Sequence, residues 1–263
     1  MRLPVTLLIL SAVTNFLFFG HPPSVVFDEV YMGSFVSAYS TGEYYFDIHP
    51  PLAKLISKFI GDIVGAPADV DFGAIGNELP FSIVLLRLLP LLAGILLPLV
   101  IYFIYRYLNM SKLASFMAGL LIILENSLLT QSRFLLFDSM LLLFGFSSIL
   151  FYLIYTKSAS MRRWLVLSAI FSACAFSIKW TGLAFPLLIF LAEIFRTKNI
   201  KSIAKTFSIY AGIGAVIYLS VFAIHFSYLK NSGPGDAFMS DRFQKTLVGS
   251  PFASNQSIQP KGF

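Results

Sequence analysis

Six apolar runs dominate the chain, at 3–19, 80–103, 113–129, 134–155, 164–195 and 207–226. A helix needs about 20 apolar residues to cross a bilayer, and in hydrocarbon every backbone N–H and C=O must find its partner inside the protein. A chain built from such runs is therefore expected to form a bundle of membrane-crossing helices. Charge content agrees: 57% of the 263 residues are hydrophobic and 12% are charged, about half the charge of an ordinary soluble domain. The predicted class is an all-α integral membrane protein, one module over residues 1–263. The single cysteine, Cys174, lies in an apolar run and excludes an intramolecular disulfide.

The run 164–195 holds Lys179 near its middle, so it reads as one long helix or two short ones. The distribution of Lys and Arg decides for two, because cationic loops stay on the inner side. With about seven spans and the N-terminus inside, one side collects Arg2, Arg106, Lys112, Lys157, Arg162, Arg163, Arg196, Lys198, Lys201 and Lys205. The net charge of +6 is then a topology signal, and no nucleic-acid partner is expected. The N-terminal run ends in FFGHPP without a small-residue cleavage pattern, so it is expected to be retained as the first helix. Of the acidic residues, only Glu193 falls toward the inner side, which makes the outer side the chemically rich one.

Two outer segments are long, 21–79 and 227–263. Within the first, residues 51–64 place Leu52, Leu55, Ile56, Phe59, Ile60 and Ile63 on one helical face and Lys54, Ser57, Lys58 and Asp62 on the other. This helix is too short to span and is expected to lie in the outer interface. Residues 69–78 read as loop, the stretch SGPGD (232–236) as a turn, and 254–263 as polar coil. Asn109 and Asn255 each open an Asn-x-Ser pattern, which is weak by chance frequency.

The polar groups at the membrane edge need an account. Arg87 lies inside the second run, Glu125 and Arg133 flank the next outer turn, Asp138 opens the fourth run, and Lys179 sits at the expected bend. Ionisable groups at that depth cost several kcal/mol unless paired or hydrated. One account is mutual neutralisation, as Arg87–Glu125 or Arg133–Asp138. The other is an anionic lipid headgroup, for which three cations at one depth are suited. Asp28 and Glu29 add two adjacent carboxylates. On a helix their side chains diverge by about 100°, so one can face a cavity as a general base while the other anchors the loop. His49, in FDIHPPL, reads as a headgroup donor or a turn residue. No HExxH and no paired Cys/His spacing is present, so no cofactor or dedicated zinc site is predicted. A divalent ion on Asp28 and Asp138 stays open.

Four stretches resemble the protein O-mannosyltransferase family: FDEVYMGSFVSAYSTGEYYFDIHPPLAKL, ENSLLTQSRFLLFDSMLLLF, SIKWTGL and HFSYLKNSGPGDAFMSDRFQKTL. The resemblance implies a type C glycosyltransferase fold and a polyprenyl- or dolichyl-phosphate-mannose donor. It implies transfer with inversion to Ser or Thr of an acceptor protein on the outer or lumenal side. Asp28 would be the base with Glu29 beside it, and Arg87, Arg133, Asp138, Lys179, His49 and Lys54 would surround the donor phosphate and sugar. The family continues with about four further spans and, in eukaryotic members, a sugar-binding-like insert. The chain is thus expected to be a fragment or half of a split enzyme, partnered by a dimer mate or a missing C-terminal half. The membrane would be the cell membrane in a prokaryote and the endoplasmic reticulum in a eukaryote. Three other readings stay open: transfer of another lipid-linked sugar to lipid or glycan, a transporter or flippase, and a non-catalytic partner subunit.

Overall fold

A computed structural model describes residues 2–68, 70–158 and 161–254. Seven apolar helices form the bundle: α1 (Arg2–Phe16), α4 (Val84–Tyr107), α5 (Lys112–Leu124), α7 (Asp138–Lys157), α8 (Arg162–Phe176), α9 (Ala184–Arg196) and α10 (Ile200–Tyr228). Between them lie α2 (Glu29–Thr41), α3 (Leu52–Ile63) and α6 (Asn126–Gln131). Among the described residues, three helices are long and apolar enough to cross a membrane on their own terms: α4, α7 and α10. α1 and α5 are shorter apolar helices. The run holding Lys179 is broken as expected. α8 stops at Phe176, a 3₁₀ turn covers Trp180–Leu183, and α9 begins at Ala184.

The helix ends sort to two sides of the bundle. At the end opposite the 21–79 segment, Glu193 is fully buried and gathers Tyr152 Oη (2.7 Å), Arg196 Nε and Nη2 (2.8 Å each) and Ser202 Oγ (2.9 Å). This ties α7, α9 and the start of α10 together around one carboxylate. Nearby, Lys157 Nζ donates to Asn109 Oδ1 at 2.7 Å, so the side chain of one Asn-x-Ser site is already engaged. Asn255 of the other lies outside the described residues.

The 21–79 end is more elaborate. α2 terminates at Gly42, whose φ of 78° is the left-handed conformation that glycine adopts without penalty. The chain leaving α10 then pairs with this turn: Asn231 N donates to Gly42 O (2.9 Å), Tyr44 N to Asn231 O (2.9 Å), and Gly235 N to Tyr44 O (3.0 Å). A Cβ on Gly235 would stand 2.3 Å from Phe46 N, so only glycine fits this approach. The expected SGPGD turn is present, closed by Asp236 Oδ1 accepting from Gly233 N at 3.1 Å. Residues 70–78 carry no helix, as expected of a loop, yet Val70 and Phe72 are buried in the main core with Val25, Ile83, Leu86 and Leu135. Asp69 and residues 255–263 lie outside the described residues.

α3 has the expected extent and periodicity, but its polar edge is the buried one. Lys54, Ser57 and Lys58 face the protein, while Phe59 and Ile63 are exposed. Lys54 is held inward by Asp47, whereas Lys58 meets Asp62 one turn on, whose carboxylate stays exposed.

Candidate functional site

Two adjacent carboxylates part company at the start of α2. Phe27 adopts a φ of +49°, uncommon for a bulky residue, and the helix begins immediately after. Glu29 is turned inward and is 0% exposed. Its carboxylate accepts from Arg87 Nε and Nη2 (2.7 Å each), from Val26 N (2.9 Å) and from Leu135 N (2.8 Å). Arg87, also 0% exposed, further donates to Pro22 O (2.7 Å) and Ser24 O (2.9 Å). The guanidinium stacks 5.0 Å from the Phe134 ring. Every oxygen and every nitrogen of this pair is engaged. Asp28 is only partly buried, and its carboxylate makes no hydrogen bond or ion pair among the described residues, not even the N-cap bond its position allows.

The bond from Glu29 to Leu135 N ties the start of α2 to the segment leading into α7, whose first residue is Asp138. Asp138 accepts both contacts of Lys179 Nζ, at 2.8 and 2.9 Å, in a pair that leaves 36% of the aspartate and 21% of the lysine side chain exposed. The Lys179 turn is in turn stitched to the 47–52 stretch. Trp180 Nε1 donates to Ile48 O (3.1 Å) and Leu52 N to Ser177 O (3.0 Å). Lys54 holds the same stretch from within, donating to His49 O (2.9 Å) and pairing with Asp47. His49 therefore sits among Asp47, Lys54, Asp138 and Lys179. Burial is the main reason its imidazole is held below the usual pKa; Lys179 and Lys54 lower it further, against Asp47 and Asp138. Its Nδ1 is buried without a hydrogen-bond partner. Burial likewise lowers the Lys54 ammonium, opposed by Asp47.

The pairings differ from both sequence-based pairs. Arg87 is matched by Glu29 rather than Glu125, whose side chain instead caps α6 by accepting from Ser127 N and Leu128 N. Asp138 is matched by Lys179 rather than Arg133. Arg133 donates through Nη2 to Thr14 O at the end of α1, and its Nε is buried and unpartnered. Of the expected phosphate ligands, Arg87 and Lys54 are enclosed by their own partners. Arg133 and Lys179 retain capacity for another. Among the described residues no three His, Cys, Asp or Glu side chains converge as a metal cage. Sequence reasoning passed over Asp47, Trp180 and the pair Tyr39 Oη–His225 Nδ1 (2.7 Å), which joins the last turns of α2 and α10. Asp47 stood inside the FDIHPPL stretch, and its place seven positions before Lys54 was the available signal.

Beside Trp180 opens an apolar cavity of about 590 Å³ between α9 and α10, walled by Phe176, Leu187, Phe190, Tyr210 and Tyr218. It runs along the bundle from the Thr206 level to the Lys179 turn.

The profile of the family "Dolichyl-phosphate-mannose-protein mannosyltransferase" matches residues 5–230. Dolichyl-phosphate-mannose–protein mannosyltransferase 4 of Candida albicans is 33% identical over 95% of this chain and 36% of its own length. Protein O-mannosyltransferase 1 of Drosophila melanogaster is 34% identical over 93% of this chain and 30% of its own. The fold superposes on the Saccharomyces cerevisiae protein O-mannosyltransferase Pmt1–Pmt2 complex bound to the sugar donor with a TM-score of 0.87. That match has 32% identity over 95% of this chain and 37% of that one. An oligosaccharyltransferase of Archaeoglobus fulgidus shares the fold alone, with a TM-score of 0.61 at 16% identity over 82% of this chain and 30% of its own. The chain spans about a third of the length of these relatives. With a family profile over most of its residues and this all-helical, type C glycosyltransferase architecture, the chain belongs to the dolichyl-phosphate-mannose-protein mannosyltransferase family.

Proposed function

We propose that the chain carries the donor-binding and base portion of an inverting mannosyltransferase. The donor is a polyprenyl- or dolichyl-phosphate mannose, and the acceptor is a Ser or Thr hydroxyl of a protein. The single observation that carries this reading is the division of labour between neighbours: Glu29 is saturated by four donors, while Asp28 beside it is unbonded and reachable. A rigidly anchored loop presenting one free carboxylate is what a general base requires.

In this mechanism Asp28 accepts the hydroxyl proton as the acceptor oxygen bonds to the anomeric carbon. The bond from that carbon to the phosphate oxygen breaks, and its electron pair leaves with the lipid phosphate. Charge on the phosphate rises toward the transition state, so fixed cations accelerate the step by binding that charge more tightly than the ground state. Lys179 supplies a point charge and Arg133 a planar fork. Asp138 holds the lysine in place, and His49 is positioned to touch the headgroup. The apolar cavity next to Trp180 takes the first isoprene units of the lipid. All seven apolar helices cross the membrane with the N-terminus inside, which puts this site on the outer or lumenal side, where the acceptor arrives.

The test is an assay in membranes from cells expressing the protein. Labelled mannose supplied as the lipid phosphate is expected on a Ser/Thr peptide, released from it by β-elimination. Label appearing only in lipid or glycan contradicts the protein acceptor, and no transfer from a lipid-phosphate donor contradicts the reaction.

A further inference from the structure

Among the described residues, three that are not glycine carry a positive φ: Phe18 (59°), Phe27 (49°) and Asn109 (64°). Two of them end helices. Phe18 follows α1 and Asn109 follows α4, where a left-handed residue closes the last turn. At Asn109 the closing bond runs from Met110 N to Tyr105 O at 3.0 Å. Phe27 instead precedes a helix, so no such cap accounts for it. Packing does not account for it either, because Phe27 is 65% exposed. An L side chain enters this region at a cost, whereas glycine would enter it freely.

The strain is held from both sides. Val25 is fully buried and bonded to the 76–77 turn: its N–H donates to Asn77 O (3.0 Å), and Gly76 N donates to its carbonyl (2.8 Å). Glu29, two residues after Phe27, is fixed by Arg87. Strained backbone that its neighbours over-determine in this way gathers where function needs it. Here it holds a large apolar ring in the open, next in sequence to Asp28.

We propose that Phe27 determines acceptor specificity: its ring takes the apolar side chain that flanks the hydroxyl approaching Asp28. The proposal rests on the reading of Asp28 as the base. Tyr31 extends the same surface. It is 62% exposed, its N–H donates to Asp28 O at 3.0 Å, and residues three apart share a helix face. Along the chain the free carboxylate thus stands between two exposed aromatic residues. Covering such a ring removes apolar area from water. Charge argues for the same class of flanking residue. A basic side chain beside the hydroxyl would pair with Asp28 and weaken it as a base, and an acidic one would be repelled by it.

The experiment compares two fluorescein-labelled peptides, one with Leu and one with Gly on either side of a single Thr. Fluorescence polarisation reads their binding to detergent-solubilised Asp28→Asn protein without donor, so that binding is measured apart from turnover. The Leu peptide is expected to bind about tenfold more tightly, the low end of what a small apolar group contributes to discrimination. Adding Phe27→Gly is expected to bring the ratio to about one, and Phe27→Tyr to keep it. The unfolding midpoint of Phe27→Gly is expected at or above that of Phe27, since glycine relieves the strain; a lower midpoint would make the ring a prop of the loop and overturn the proposal. In transfer assays on protein that retains Asp28, Phe27→Gly is expected to raise KM for the Leu peptide and leave kcat near its original value. Discrimination in binding without transfer supports the contact and fails the reaction. Transfer without discrimination overturns the contact and leaves the reaction standing. A ratio that survives Phe27→Gly overturns the proposal and leaves the ring to the lipid surface, and absence of peptide binding to folded protein overturns it outright.

Discussion

Two ion pairs of the loop end, Glu29–Arg87 and Asp138–Lys179, look alike in composition and differ in burial and in bonding. Glu29–Arg87 is closed: both side chains are 0% exposed and hydrogen-bonded to backbone on two segments, the 22–26 stretch and Leu135. Asp138–Lys179 is open: it is partly exposed and bonded only to itself among the described residues. A closed pair has no capacity for a ligand and is strongly destabilising to break, because it strands a buried charge. An open pair is weak as a staple and free to exchange partners. Burial thus divides the expected site residues into those that hold the loop and those able to meet a substrate.

The largest effect expected is from opening the closed pair. Arg87→Met leaves Glu29 buried without its cation and is expected to cost about 3–5 kcal/mol. Loss of folded protein in detergent, read by thermal unfolding, checks this, and an unchanged midpoint would show that the pair does not hold the loop. Lys179→Ala is the counterpart on the open side. It is expected to leave the unfolding midpoint near wild type while lowering turnover more than donor affinity, since phosphate charge grows toward the transition state. A double-mutant cycle on transfer rate with Lys179→Met and Asp138→Leu sharpens the contrast. Recovery in the double mutant would assign Lys179 to neutralising Asp138 alone. A smaller effect is expected at Arg133, which no carboxylate pairs among the described residues. Arg133→Lys keeps the charge but loses the planar fork and the reach to Thr14 O, so a partial loss of transfer is expected, measured with the same assay. Full activity in Arg133→Lys would remove the need for a bidentate contact.

Much of this arrangement was legible in the sequence, and the remainder has a common cause. Period-3.6 patterning marked α3, which is a local signal, while Lys179 only left the run 164–195 as one helix or two and the distribution of Lys and Arg along the whole chain decided for the break between α8 and α9. The divergence of Asp28 and Glu29 also follows from helix geometry. Which of the two turns inward does not, since it depends on the positive φ at Phe27 and on Arg87, 58 positions away. Lys179 and Asp138 are 41 positions apart, and Arg133 finds Thr14 across 119. Local pattern carries no information about such partners, and the expected pairings of Arg87 with Glu125 and Arg133 with Asp138 followed only a shared depth at the outer membrane edge. The buried polar edge of α3 has the same origin: Asp47 lies outside the helix whose lysine it draws inward.

The most direct test compares the two adjacent carboxylates under one assay. Transfer rate and unfolding midpoint are measured for Asp28→Asn and Glu29→Gln side by side. Asp28→Asn is expected to keep the wild-type midpoint and lose about 10²–10⁴ in rate, the usual cost of removing a general base. Glu29→Gln is expected to lower the midpoint, because it leaves the buried guanidinium without its counter-charge. Near-normal turnover in Asp28→Asn, with a stable Glu29→Gln protein that no longer transfers, would reverse the two roles and contradict the account.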